Sequence, residues 1–370
     1  MLSSPPEHFL EYEVLEYMCH QRLGRSFSTE IQNSLSNKDL SWGELIEQAA
    51  RHRLLPTLSQ YLEEHRLWVH SPKKVREVLN DIRNLARRRM VVFQNYALLI
   101  GKALREQEVP FSLRKGLVTQ GLLYTNPHLR VFTDLDFLIL PNDAPRMRAV
   151  LVELGFSIGH FDHSIDAVTP LPREEAIRLR LNPDHMPRFS KRSDDDVVRH
   201  IEVDVATSLT WTNSGYEISV SKALESVSPV DSGLLAGLPR LSSDFLFLDS
   251  ALHLFREAYL EITITQSGED VSLAKFLEIA LLWNHFYSTP SSTNFLKVLL
   301  HESDLLSPIG WVGAHTDSLF GTSVVSGLDL GEYIDQDFLN SWRASGGQRR
   351  QWRGTMRERL ASKVRSQLFL

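Results

Sequence analysis

Four acidic residues in two short strings carry the plainest chemistry in this sequence. Asp134 and Asp136 lie in TDLDFLIL, Glu202 and Asp204 in HIEVDVA, each pair two residues apart. In a strand alternate side chains share a face, so each pair projects together while Leu135, Phe137, Ile201, Val203 and Val205 face the other way. A carboxylate on an otherwise apolar strand costs stability unless it is hydrated or meets a cation. Two readings follow: exposed acids at the edge of an amphipathic strand, or ligands for a metal. Oxygen donors without cysteine ligands or a compact histidine pair suit Mg²⁺ or Mn²⁺, ions that bind through carboxylates together with substrate phosphates. The reaction class on the second reading is phosphoryl chemistry, because two such ions can hold the attacking and leaving oxygens of an in-line displacement.

The elements that must position these acids are read from hydrophobic periodicity. VPFSLRKG from about residue 109, TDLDFLIL at 133–140 and HIEVDVATSL at 200–209 predict strands. Between the first two, LVTQGLLYTNPHL is apolar at helical spacing, and Pro141-Asn142-Asp143 predicts a cap for a helix in DAPRMRAVLVELGF. Residues 182–199, with Pro183, Pro187 and Asp194-Asp195-Asp196, predict an exposed loop or a hairpin connection.

On either side the pattern is helical. After Ser4-Pro5-Pro6, Phe9, Leu10, Tyr12, Val14, Leu15 and Met18 recur at helical spacing; two short helices divided near Pro56 follow, and the longest helix runs from Val75 to about Gln107. FLFLDSALHLF and SLAKFLEIALLWNHF are amphipathic helices beyond residue 242. The expected organisation is a helical region at 1–107, a mixed core at 108–212 and a C-terminal helical region with a basic tail at 213–370. The fold class is α+β.

Composition narrows the partners. The net charge of -6 hides a tail, residues 343–370, with eight Lys or Arg against Glu358 alone, which leaves the rest of the chain at -13. So acidic a body is not expected to bind nucleic acid, whose affinity comes from neutralised phosphates. The tail, with Trp352 among its arginines and Trp342 just before it, reads as an amphipathic terminal element docking these tryptophans on that body. Arg83, Arg87, Arg88 and Arg89 read as a solvated helix face. The single cysteine, Cys19, excludes an internal disulfide and a cysteine-ligated metal, and fits a reducing compartment. With no leader pattern and no apolar run of about 18 residues, no membrane partner is expected, and the expected location is cytoplasmic.

The string from 111 to 156, FSLRKGLVTQGLLYTNPHLRVFTDLDFLILPNDAPRMRAVLVELGF, resembles the core of the uncharacterised nucleotidyltransferase family within the DNA polymerase β-like superfamily. LSWGELIEQAARHRLLPTL upstream, HMPRF with IEVDVATSL downstream, and LSSDFLFLDSALHLF with SLAKFLEIALL extend the resemblance over roughly residues 40–285. The resemblance implies a small polymerase-β-like sheet and transfer of a nucleoside monophosphate from a nucleoside triphosphate, with release of pyrophosphate. By motif position the metal ligands are Asp134, Asp136 and Asp204. Lys115, Gly116 and Arg130 fall where nucleotide would bind, and His185 and Glu202 near the substrate. Gly116 at a helix start would let backbone N–H groups and the helix dipole meet a phosphate.

Two positions depart from the pattern. Leu117 stands where relatives carry glycine or serine, so a hydroxyl ligand for phosphate is missing, and Ala206 stands where they often carry histidine. These departures keep a second expectation in play, a degenerate relative that binds nucleotide as an interaction module. The basic tail supports a third, a toxin-like transferase acting on tRNA or protein.

Overall fold

The period-two segments of the sequence become neighbouring strands of one mixed sheet. The computed structural model describes residues 9–181, 184–265, 270–287, 289–362 and 368–369; Ser4-Pro5-Pro6, Pro183 and the tail's Lys363 and Arg365 lie outside the described residues. The chain divides into two units, one made of Leu85–Leu252 and Ser291–Leu306, the other of Met1–Asn84, His253–Pro290 and Ser307–Leu370.

The first unit holds β1 (Phe111–Leu113), β2 (Leu135–Ile139), β3 (Ser157–Ile158), β4 (His160–Asp162), β5 (Ala167–Thr169), β6 (Phe189–Arg192), β7 (His200–Ala206), β8 (Ser228–Pro229) and β9 (Pro239–Arg240). Seven of them form a sheet in the order β3-β6-β7-β2-β1-β9-β8, and β4 pairs with β5 separately. β1 runs antiparallel to β2, whereas β2 and β7 are parallel. A parallel pair needs a crossover. Here the helices Ala144–Glu153 and Arg173–Leu181 lie in the intervening chain. Every residue of β2 is buried, as expected of a central strand covered on both faces. Phe93, Phe137, Phe189, Phe245 and Phe247 are fully buried in this unit, each stabilising it by about 1.5–3 kcal/mol through burial.

Helix Lys115–Leu123 follows β1. The predicted cap before Ala144–Glu153 takes another form: Pro141–Asp143 is a 3₁₀ turn, and Asp143, already helical, makes no side-chain cap bond. Its carboxylate pairs with Arg146 instead, at 3.1 Å. Of the segment predicted as a loop or a hairpin connection, the described residues 184–199 take the second form, since β6 lies within them and pairs antiparallel with β7.

The second unit is mostly helical. It contains the helices Leu10–Arg22, Ser28–Ser36, Trp42–Arg51, Leu55–Glu64 and Leu273–Phe286. Pro56 opens the fourth of these, where its missing N–H costs nothing. The long helix Lys73–Glu106 begins in this unit and ends in the other. The tail belongs to the same helical unit: β10 (Ser341–Arg343) and β11 (Arg349–Gln351) form a hairpin, and helix Met356–Ala361 follows a Thr355–Glu358 capping box. Trp342 and Trp352 are buried, as is Arg359, which pairs with Asp270. The observed class is α+β, a mixed sheet in mid-chain with helices before and after it in sequence. Among the described residues no helix is long and apolar enough to cross a membrane.

Candidate active site

The register of the parallel pair builds the site. Leu135, Asp136 and Phe137 lie opposite Val203, Asp204 and Val205. Because side-chain faces alternate, this alignment sets the two aspartates side by side on one face and the apolar residues on the other. Asp134, at the bend just before β2, completes the group. Asp134, Asp136 and Asp204 each offer a carboxylate oxygen within 4.8 Å of the others. Glu202 shares the face of Asp204, but its carboxylate accepts a 3.1 Å bond from Arg188 Nη1.

Such crowding is electrostatically costly, and the site shows it. Burial, then the charges of Asp136 and Asp204, push the Asp134 carboxyl up to about 7 against the pull of Lys115 and Arg188. Asp204 moves the other way. Burial opposes its charge, yet His185, Lys115, Arg114 and Arg188 outweigh that and hold it down to about 2. An all-oxygen cluster that retains a poorly compensated charge fits a hard divalent cation: Asp134, Asp136 and Asp204 are the residues that could hold Mg²⁺ or Mn²⁺.

Three cations face the carboxylates from different elements. Lys115 Nζ donates to Asp136 Oδ1 at 2.7 Å. It reaches there from a backbone φ of +43°, a left-handed conformation that side chains rarely adopt and that costs on the order of 1 kcal/mol. Its neighbour Arg114 is buried; its N–H donates to the Asp136 carbonyl at 3.1 Å and its guanidinium forks onto Asp249. Gly116 is required by close approach, since a Cβ there would sit 2.7 Å from Phe132 Cβ. Leu117 is a buried core residue and leaves the helix start without a hydroxyl. Arg130 is half-buried and donates to the Val131 carbonyl at 2.5 Å.

The third cation, Arg188, comes from a bulge. His185 bridges Ala206, and Phe189 pairs with Val203. Four steps on one strand therefore match three on β7, so this segment carries one extra residue, a β-bulge of the kind that re-aims side chains beside functional sites. Pro187 lies inside it, where a residue without an N–H is tolerated. His185 sits on one side of the bulge with Nε2 3.6 Å from Asp204 and Nδ1 3.6 Å from Asp184. Arg188 sits on the other.

The sequence reading did not single out Arg114 or Arg188, and it placed Arg89 on a solvated helix face. Burial lowers the Arg89 pKa, while Glu202 and Asp134 act to raise it, so Arg89 is part of the site's field and not a purely solvated residue. The available signal was Pro187 next to an arginine in an otherwise strand-like string. Asp195, by contrast, is structural: it accepts from the Val197 and Val198 N–H groups and from Arg88.

With this geometry in hand, the comparison with known families is decisive. The family model described as an uncharacterised nucleotidyltransferase matches residues 38–321, more than half of the chain. The chain belongs to that uncharacterised nucleotidyltransferase family. The match contains β2, β7 and the bulge, so all three carboxylates of the cluster fall inside the nucleotidyltransferase region. No curated protein matches the sequence.

Proposed function

We propose that this nucleotidyltransferase family member is a metal-dependent enzyme that moves a nucleoside monophosphate from a nucleoside triphosphate to a small-molecule or peptide acceptor. The observation that carries the proposal is the cluster of Asp134, Asp136 and Asp204, whose oxygens lie within 4.8 Å of one another. In the reaction an acceptor oxygen or nitrogen forms a bond to the α-phosphorus, the bond from that phosphorus to the bridging oxygen breaks, and pyrophosphate leaves. Bound Mg²⁺ or Mn²⁺ would supply charge neutralisation at the phosphates. The chain itself contributes position and fixed charge. Asp136 and Asp204 are held by strand register and Asp134 by the bend before β2. Lys115, Gly116 and Arg130 are assigned to the nucleotide, and His185 to the substrate side. Preorganised groups of this kind lower the barrier because they need not reorient as charge develops.

We assign the nucleotidyltransferase core to residues 108–212, between helical regions at 1–107 and 213–370 in the sequence. The lone, buried Cys19, whose thiol burial pushes up to about 12, fits a reducing cytoplasm.

A second reading has one observation in its favour. Leu117 is core, so the helix start lacks the hydroxyl that would help hold a phosphate. A binding module without turnover would fit that loss. Incubating the full chain with each labelled nucleoside triphosphate and Mg²⁺ separates the two. Pyrophosphate release that Asp136→Asn abolishes supports the enzyme; triphosphate-dependent thermal stabilisation without pyrophosphate supports the module.

A further inference from the structure

We infer that Arg188 is the residue that grips the triphosphate tail, and that Glu202 is a positioning residue that holds Arg188 for that purpose and not a metal ligand. The inference rests on the nucleotidyltransferase reading and deepens it.

Counting donors around the carboxylates leads to this assignment. Lys115 is 13% exposed and already committed to Asp136. Arg114 is 5% exposed and its fork is taken by Asp249. Arg89 lays its guanidinium over the Phe93 ring, 5.4 Å from the centroid. Arg188 differs from all three, because its side chain is 43% exposed and the bond from Nη1 to Glu202 is the one hydrogen bond of its guanidinium among the described residues. A guanidinium carries five N–H donors in a planar fork. One edge can rest on a carboxylate while the other meets a phosphate in the bidentate geometry that favours arginine over lysine.

The field around Arg188 fits the same role. Burial would weaken its charge, but Glu202, then Asp134, Asp204 and Asp136 strengthen it. It feels the three carboxylates through charge, while its side-chain hydrogen bond goes to Glu202. The bulge supplies the reason for its placement: the extra residue between His185 and Phe189 resets the alternation of side chains, and Pro187 stiffens the backbone just before Arg188.

Glu202 now has a role that strand alternation alone could not give it. It faces the same side as Asp204, yet stays outside the cluster of three because it is engaged with Arg188. Without that tether a long arginine would fall onto the aspartates and compete with the metal for their oxygens. The tether keeps the metal ligands clear and the remaining donors directed outward.

The test is calorimetric and uses the full chain with Mn²⁺ alone, then Mg²⁺ with inorganic tripolyphosphate. Arg188→Gln is expected to keep Mn²⁺ affinity at or above that of the parent and to weaken tripolyphosphate about tenfold to a hundredfold, the loss of one or two charge-assisted hydrogen bonds. Arg188→Lys, which keeps the charge without the fork and guards against a folding artefact, should bind tripolyphosphate between the two. Glu202→Gln should keep Mn²⁺ binding and lose less tripolyphosphate affinity than Arg188→Gln. Parent-like tripolyphosphate binding by Arg188→Gln overturns the assignment of Arg188. A loss of Mn²⁺ in Glu202→Gln as deep as in Asp204→Asn makes Glu202 a metal ligand and overturns its positioning role. A parent protein that binds Mn²⁺ but neither tripolyphosphate nor any nucleoside triphosphate overturns the nucleotidyltransferase reading itself, a result distinct from either variant failing alone.

Discussion

Asp136 and Asp204 are register partners across the parallel pairing of β2 and β7. Neighbouring strands lie about 4.8 Å apart, so two carboxylates far apart in sequence face one another across a single strand spacing. Such an arrangement is unfavourable without a cation, and the lysine that answers it, Lys115, reaches only one of the two by a direct bond.

The first prediction concerns ligand-linked stability. Mg²⁺ and a nucleoside triphosphate together should raise the unfolding temperature more than the sum of their separate effects, because the triphosphate completes the metal's oxygen shell. Asp136→Asn and Asp204→Asn should each abolish that joint gain, measured by thermal unfolding, while the unliganded proteins remain folded. A merely additive shift in the parent would remove the basis for the site.

Asp134 gives a pH-dependent prediction of opposite sense. Its carboxyl is raised from 3.8 to about 7 in the folded chain, so the unfolded chain ionises first and this group's ionisation lowers stability as pH rises between those values. Asp134→Asn should therefore stabilise the chelator-treated protein at pH 8, by up to about 4 kcal/mol at roughly 1.4 kcal/mol for each unit between those values. Below about pH 3, under the unfolded value of 3.8, both states of the parent carry the proton and the gain should vanish. Urea unfolding at the two pH values in chelator measures it, and equal gains at both would show that crowding of charge is not its cause.

Gly116 faces a steric limit. The Cβ of Gly116→Ala would lie 2.7 Å from Phe132 Cβ and 2.9 Å from its Cγ, so either the helix start or Phe132 must move. A loss of about 1–3 kcal/mol is expected, as for overpacking elsewhere. A double-mutant cycle with Phe132→Leu should show favourable coupling if the clash is with that ring.

The tail is expected to matter for stability through one arginine. Arg359 is fully buried against Asp270, and removing one partner of a buried ion pair costs about 3–5 kcal/mol. Arg359→Ala should fall in that range by denaturant unfolding, whereas Arg353→Ala, at an exposed position, should stay within about 0.5 kcal/mol of the parent.

Local pattern determined much of this. Alternation in TDLDFLIL and HIEVDVA predicts which residues face together, and the helical periods on either side predict the helices, because these signals depend only on neighbours in sequence. Pro56 marks a helix start for the same reason, since a missing N–H acts locally. Which acids meet is a different kind of question. Nothing within HIEVDVA separates Glu202 from Asp204; the parallel register that sets Asp204 beside Asp136, and the ion pair that draws Glu202 to Arg188, are contacts across the sheet. Pro187 read as a loop signal, and only the pairing on both sides of it reveals a bulge. In the sequence Arg359 is only one of the eight basic residues of the tail; the packing of the helical unit buries it against Asp270. A sequence carries the face on which each side chain stands, whereas strand register, bulges and buried ion pairs are settled by the packing of distant segments, where a shift of one residue moves every side chain to the opposite face.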